Sequence, residues 1–294
     1  MLNDKYAMGF VKRLGSSVAL WTVVLFALFR VGDLASWALS LLIASIALAE
    51  FYDILKQRNL KTFKVGGLIG GVILLSGSWW YGRTMPEFVA TFEMLTLLCF
   101  VLGVFIRQLP QDKNPEAIET MAYTLLGLMY VPWLMTFIPK INYLYKADGP
   151  GPLFVFYVVA VTKCCDIGAY LVGRTMGRHK MTMRISPNKT WEGAFGGVAF
   201  SLITSYGLFQ LPLFQKAWVG VGFTQTHALV TGFLLGWVAI VGDLAESLIK
   251  REANIHDSGG VLPGIGGALD LIDSLLFTSP VMYAYLILVV KQGL

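Results

Sequence analysis

The feature that most constrains this chain is a series of long, continuous apolar runs. A helix needs about 20 consecutive apolar residues to cross roughly 30 Å of hydrocarbon, and most of the runs approach that length. Because the apolar residues are contiguous and do not alternate with polar ones, helices are favoured over a transmembrane barrel. The sequence therefore predicts an all-α fold, a polytopic transmembrane helical bundle of about nine spans. The predicted spans cover approximately residues 17–29, 34–52, 65–81, 88–106, 118–138, 152–172, 193–211, 227–249 and 269–290.

Composition supports the same conclusion, since 56% of the residues are hydrophobic and 14% are charged, which is more apolar than a soluble domain of this length. No polar segment is long enough to fold alone, so the chain is interpreted as one membrane domain. Residues 1–150 form its N-terminal transmembrane helices, whereas residues 151–294 concentrate the acids, bases and glycines. Any chemistry is expected in this C-terminal half.

The basic residues indicate topology. A net charge of +5 could suggest nucleic acid, but these residues are spread among short loops, so no nucleic-acid partner is expected. With a cytoplasmic N-terminus, sixteen of the 23 Lys and Arg residues lie on the cytoplasmic side and six lie on the other, while Lys163 falls inside a span. Cytoplasmic loops are enriched in Lys and Arg. The sequence thus predicts a cytoplasmic N-terminus and cytoplasmic motif loops.

One candidate site begins at Asp166, which lies inside an apolar span. An intramembrane aspartate costs about 2.5 to 3.5 kcal/mol on insertion scales, so it should face a polar cavity or a partner. Lys163 precedes it by one helical turn, and a purely structural Lys163–Asp166 pair is one alternative. Further on, Ser186, Lys189 and Thr190 precede a helix that is predicted to begin near Trp191. Hydroxyls, an ammonium and free N–H groups at a helix start favour phosphate, although basic loops also hold anionic headgroups.

A second candidate site combines two predicted helices. Asp243, Glu246 and Lys250 share one face of the first helix at i, i+3 and i+7. Asp270 and Asp273 are one turn apart on the second. Carboxylates from two neighbouring helices are plausible oxygen ligands for Mg²⁺.

A glycine-rich turn, residues 263–267, lies between these two helices. Its amides can approach phosphate oxygens closely because few side chains intervene. Carboxylates for metal, an amide-rich turn and basic residues together favour phosphoryl or nucleotidyl transfer. Two alternatives remain. The glycine-rich turn can be only a tight connection between helices, and the acids can line the ion pathway of an ion-coupled membrane transporter.

The same residues fit a longer pattern. Residues 166–177 follow D-x-G-A-Y-x-x-G-R-x-x-G, and residues 185–193 follow I-S-P-x-K-T-x-E-G. About the last 130 residues thereby resemble the phosphatidate cytidylyltransferase family, also called CDP-diacylglycerol synthases. The family's C-terminal signature is matched in register by Ser247, Lys250, Arg251, Asp257, Gly259, Leu262, Pro263, Gly266, Gly267, Asp270 and Asp273.

The resemblance implies a reaction and a set of roles. A phosphate oxygen of phosphatidic acid would attack the α-phosphorus of CTP, pyrophosphate would leave, and CDP-diacylglycerol would remain in the membrane. Mg²⁺ is the implied cofactor, with a second cation left open. The implied catalytic residues are Asp243, Lys250, Arg251, Asp270 and Asp273, of which Asp243, Asp270 and Asp273 would bind the metal. The implied substrate-binding residues are Asp166, Ser186, Lys189, Thr190, Glu192, Ser247, Asp257, Gly264, Gly266 and Gly267.

The resemblance also implies a bacterial inner-membrane location, contact with membrane lipid, an active site facing the cytoplasm, and a homodimer as a family-level expectation. Three departures stand out, because His256, Ile265 and Leu271 replace the family's usual Lys, His and Arg. Since every acid of the signature remains, a catalytically competent but divergent member is expected. The alternatives are a CTP-dependent lipid-alcohol kinase of the polyprenol or phytol type, which would release CDP, and an ion-coupled transporter.

Overall fold

The computed structural model describes residues 32–110, 114–145, 149–253 and 267–291. The predicted first span, residues 17–29, lies outside the described residues, as do Asp257, Gly264 and Gly266. The helices are α1 (Asp33–Gln57), α2 (Lys64–Thr84), α3 (Val89–Gln108), α4 (Ala117–Leu128), α5 (Phe137–Tyr143), α6 (Gly151–Met176), α7 (Trp191–Gln210), α8 (Pro212–Val219), α9 (Gln225–Glu252) and α10 (Ala268–Tyr285). A short 3₁₀ turn, Pro86–Phe88, precedes α3, and π turns follow α4 (Met129–Trp133) and α10 (Leu286–Val290).

The chain is a predominantly helical membrane protein. Among the described residues, seven helical stretches are long and apolar enough to cross a bilayer. An eighth candidate is a bent pair, α7 and α8, whose axes differ by 80° across Leu211. Every predicted span from residue 34 onward coincides with one of these stretches, and Pro212 at the start of α8 explains the break. Only two strands accompany the helices in this part of the chain, β1 (Lys180–Thr182) and β2 (Ser186–Thr190), which form an antiparallel hairpin that the all-α prediction did not contain.

The helices form two compact units. The first unit comprises the described parts of Met1–Thr136 and Glu252–Ile272, and the second comprises those of Phe137–Arg251 and Asp273–Leu294. Each unit therefore contains two segments that are far apart in sequence, and contacts between these segments complete the unit.

Buried polar contacts hold the first unit together. Tyr52 donates a 2.8 Å hydrogen bond to the carbonyl of Thr124, joining α1 to α4. Ser78 of α2 donates at 2.6 Å to the carboxylate of Glu93 on α3, and both residues are buried. Glu50, which is 6% exposed, accepts a 2.9 Å bond from the backbone N–H of Leu269. Each contact satisfies a polar group that would be costly to leave unpaired in an apolar environment.

Close helix packing organises the second unit. A Cβ atom on Gly193 of α7 would lie 2.9 Å from the carbonyl of Ala169 on α6, so only glycine allows the two backbones to approach so closely. The side chain of Thr190 caps α7 by accepting a bond from the N–H of Gly193. A buried core of Cys165, Ala194, Val198, Ala239 and Ile240 joins α6, α7 and α9. These contacts bring together the end of α6, the hairpin and the start of α7.

Candidate active site

A cluster of three carboxylates lies at the centre of the site. One oxygen from each of Asp243, Glu246 and Asp273 lies within 4.8 Å of the others. Glu246 is 3% exposed and Asp273 is 6% exposed, whereas the side chain of Asp243 is 40% exposed. The cluster therefore has two buried members and one that faces open space.

Local geometry explains how two helices bring these acids together. Asp243 and Glu246 are three residues apart on α9 and so share a face. Gly242 permits α9 to approach α10, because a Cβ atom there would lie 2.9 Å from the backbone oxygen of Asp273. The N–H of Ser274 donates to Asp273 Oδ1, and its hydroxyl donates at 3.3 Å to Asp166 Oδ1. Asp166 of α6 is thereby linked to the cluster.

Lysines accompany the acids. Lys189 Nζ lies 2.8 Å from Asp243 Oδ2, Lys250 Nζ lies 2.8 Å from Glu246 Oε1, and Lys163 Nζ lies 3.0 Å from Asp166 Oδ2. The Lys189–Asp243 contact is an ion pair by distance. Among the described residues, the buried Lys189 ammonium has no acceptor, Asp243 included, with the alignment of a hydrogen bond. The Lys163–Asp166 pair is present as the sequence suggested. Three lysines thus contact three of the four carboxylates, Asp243, Glu246 and Asp166.

A cavity of about 550 Å³ adjoins this cluster within the second unit. That volume lies in the usual range for small-molecule sites, about 300 to 1,000 Å³. Its wall includes two acidic residues, Asp166 and Asp243, and three residues of the hairpin, Ser186, Lys189 and Thr190. The remaining lining residues are Ala169, Tyr170, Gly173, Arg174, Met181, Asn188, Gly193, Ala194 and Ile240. A polar ligand in this cavity would lie between the hairpin and the carboxylates.

The hairpin is fixed at both ends. Arg251 of α9 donates its Nε–H to the carbonyl of Ile185 at 3.1 Å. The carboxylate of Glu192 accepts from the backbone N–H groups of Arg178 at 3.1 Å and His179 at 3.1 to 3.2 Å, and it also pairs with the His179 ring. Glu192 and Arg251, both assigned to the site from sequence, thus hold the loop that carries Lys189.

The structure distributes the remaining predicted residues as follows. Asp270, one turn before Asp273, accepts a 2.9 Å bond from the N–H of Gly267 at the start of α10. Lys250 contacts Glu246, and Ser247 is partly buried on α9. Within the described residues, the carboxylate cluster contains Asp243 and Asp273 of the predicted metal set, together with Glu246.

Glu246 belongs to the carboxylate cluster but was not among the predicted metal ligands. Its signal in the sequence is the i, i+3 spacing from Asp243, which places both acids on one helical face. Glu50 in the first unit, to which no role was assigned from sequence, accepts from the backbone N–H of Leu269 at the start of α10. No local pattern connects residues so distant in the chain.

The donor set fits a divalent cation. Carboxylate oxygens are the ligands that Mg²⁺ prefers, and the three acids converge within 4.8 Å. Like charges at that separation repel unless a cation or a proton offsets them. Asp243, Glu246 and Asp273 are therefore the described residues that could hold Mg²⁺.

Comparisons with known proteins extend over nearly the whole chain. The model of the cytidylyltransferase family matches residues 11–289. The phosphatidate cytidylyltransferase of Bacillus subtilis (strain 168) is 30% identical over 271 residues, covering 90% of this chain and 94% of the relative. The phosphatidate cytidylyltransferase of Staphylococcus saprophyticus is 31% identical over 284 residues, covering 94% and 98%. An uncharacterized Escherichia coli (strain K12) protein, YnbB, is 39% identical over 163 residues, covering 55% and 50%.

Proposed function

The chain belongs to the cytidylyltransferase family, and we propose that it transfers the cytidylyl group of CTP to phosphatidate. A phosphate oxygen of phosphatidate forms a bond to the α-phosphorus of CTP, and the bond from that phosphorus to the oxygen bridging to the β-phosphorus breaks. The products are CDP-diacylglycerol and pyrophosphate. The observation that carries the proposal is the carboxylate cluster beside a cavity that contains Lys189.

Asp243, Glu246 and Asp273 would hold Mg²⁺ in this reaction. When bound, the metal neutralises phosphate oxygens and stabilises the charge that develops on the leaving pyrophosphate. Asp270 retains the metal-binding role that the family pattern implies for it, and a second cation remains part of the proposal. No covalent enzyme intermediate is required, since positioning and charge supply most of the catalysis.

The protein's own residues position the nucleotide. Lys189 lines the cavity and contacts Asp243, so a phosphate bound by its ammonium is brought next to the metal ligands. Ser186 offers a hydroxyl from the same wall. Thr190 uses its hydroxyl to cap α7, which fixes the adjacent Lys189 backbone. Arg251 and Glu192 hold the hairpin in place.

We further propose that the protein has nine spans in total and assembles as a homodimer. We place its N-terminus and its active site on the cytoplasmic side of a bacterial inner membrane. The excess of Lys and Arg residues in the loops on that side supports this orientation, and CTP is a cytoplasmic nucleotide. In a cysteine-free variant, Met183→Cys in the hairpin loop should resist an impermeant thiol reagent in intact cells, whereas Lys216→Cys in α8 should react. The reverse labelling would invert the topology.

Product analysis tests the reaction itself. Purified protein receives phosphatidate, Mg²⁺ and CTP labelled on the α-phosphate or, in a parallel reaction, on the γ-phosphate. Cytidylyl transfer moves the α label into lipid and releases the γ label as pyrophosphate. A lipid-alcohol kinase, tested with a polyprenol, would move the γ label into lipid and release CDP. Neither label entering lipid under either condition would overturn the enzyme proposal and favour a transporter.

A further inference from the structure

A second cavity, remote in sequence from the catalytic residues, lies within the first unit. It is a groove of about 580 Å³ between α2 and α3 with almost entirely apolar walls. Ile69 is 56% exposed and Leu95 is 50% exposed. On helices that span a bilayer, such exposed apolar walls face lipid hydrocarbon. The groove is therefore shaped to receive an apolar chain from the membrane.

Positive charge is concentrated at one end of this groove. Arg107, near the end of α3, lines the groove, and its guanidinium lies 5.9 Å from the ring centroid of Phe63. Phe63 also lines an adjoining cavity of about 540 Å³ that contains Lys56, Lys61 and Lys64. Lys64 pairs with Asp53 at 2.6 Å. The two cavities thus share Phe63 and together join an apolar groove to a basic pocket.

The helix order explains this arrangement. Lys56 lies in the last turn of α1, Lys64 begins α2 and Arg107 lies in the last turn of α3. Short connections make consecutive helices antiparallel, so these three helix ends meet at one membrane interface. At the opposite end of α2, Arg83 contacts Asp33 at 3.6 Å. The basic residues at this end of the first unit therefore come from three helix termini.

We propose that the first unit binds an anionic phospholipid, with an acyl chain in the α2–α3 groove and the phosphate in the basic pocket. The apolar groove leads to the basic pocket, just as the acyl chain of such a lipid leads to its phosphate. Basic pockets between membrane helices at this interface favour anionic headgroups. A second protein copy would cover the apolar walls but would have to bring acids to the cations. The proposal concerns none of the catalytic residues and does not depend on cytidylyl transfer.

The open glycines of the chain provide a matched test of the groove. A Cβ atom on Gly103 of α3 would meet nothing within 4 Å, so Gly103→Leu fills the groove without displacing a helix. Gly207 of α7, in the second unit, is equally open, and Gly207→Leu is the control. Each protein is reconstituted in nanodiscs of phosphatidylcholine with a fixed fraction of phosphatidylglycerol, and native mass spectrometry then measures retained lipid.

Wild type and Gly207→Leu should retain phosphatidylglycerol in preference to phosphatidylcholine, and Gly103→Leu should lose that preference. Lys61→Gln and Arg107→Gln should each weaken phosphatidylglycerol binding about fivefold, whereas Arg83→Gln should leave it unchanged. Equal retention of both lipids by wild type would overturn the proposal. So would a Gly103→Leu variant that keeps its lipid but changes oligomeric mass, because the groove would then be a protein interface.

Discussion

The buried acids of the two units have different neighbours. In the first unit, Glu50 accepts from a backbone N–H and Glu93 accepts from the Ser78 hydroxyl, and the two acids belong to different helices. In the second unit, Asp243, Glu246 and Asp273 converge beside a cavity. A buried carboxylate that accepts from a backbone N–H or a hydroxyl joins segments of the fold, whereas carboxylates gathered with lysines can bind a cation and a phosphate. Four predictions test that distinction.

The largest effect is expected from Asp273→Asn, which keeps the shape of a buried ligand and removes one negative charge. CDP-diacylglycerol formation should fall by at least about 100-fold. The measurement is the dependence of rate on Mg²⁺ concentration, at matched concentrations of folded protein. Unchanged rate and unchanged Mg²⁺ dependence would remove Asp273 from the metal site.

The third metal ligand is tested by Glu246→Gln, compared with Asp270→Asn. Both should raise the Mg²⁺ concentration needed for half-maximal rate, by about 10-fold to 100-fold. The same titration yields both values. If Asp270→Asn lowered thermal stability and left the Mg²⁺ requirement unchanged, Asp270 would serve only to cap α10 through Gly267.

Lys189→Gln should cause an intermediate loss. Removing the ammonium of Lys189 should reduce kcat/KM for CTP about 10-fold to 100-fold, and Lys189→Arg should recover part of it because the charge is kept. Arg83→Gln is the control, since it breaks a partly exposed pair with Asp33 that contributes less than about 1 kcal/mol. Equal activity in Lys189→Gln and Arg83→Gln would exclude Lys189 from phosphate binding.

The smallest effect on activity is expected from Ser78→Ala in the first unit. Loss of its bond to buried Glu93 should cost about 1 to 3 kcal/mol of stability, visible as a lower midpoint of thermal unfolding in detergent. Activity per folded molecule should stay at the wild-type value. Thr84→Ala, which removes an exposed hydrogen bond, should change neither quantity. A loss of specific activity in Ser78→Ala would erase the contrast between the units.

The sequence contained most of the helical architecture because a membrane span is a local property. Each predicted run from residue 34 onward lies within a helical stretch, and the resemblance to the cytidylyltransferase family is confirmed over residues 11–289. The hairpin at 180–190 lacks such a signal, since a few polar residues encode it through contacts with Arg251 and Glu192. The 80° bend at Leu211 was hidden in a run that looked continuous until Pro212.

The site was predictable only in part. Spacing alone placed Asp243 and Glu246 on one face, and it placed Asp270 and Asp273 one turn apart. Which acids meet across two helices depends on how α9 packs against α10, and Gly242 permits the close approach of the two backbones. This packing between helices leaves no periodic pattern in the sequence. The metal assignment therefore remains a prediction that the variants above can test.

The bond between Glu50 and Leu269 spans 219 residues, which gives it a consequence in time. A ribosome adds about 5 to 20 residues per second, so roughly 10 to 45 seconds separate the synthesis of the acceptor from that of its donor. During that interval, the carboxylate of Glu50 lacks the hydrogen bond from the backbone N–H of Leu269, because Leu269 has not yet been synthesised. The first unit can be completed only when the start of α10 arrives, so a nascent chain that stalls in between leaves its earliest described helix with an acid still to be satisfied.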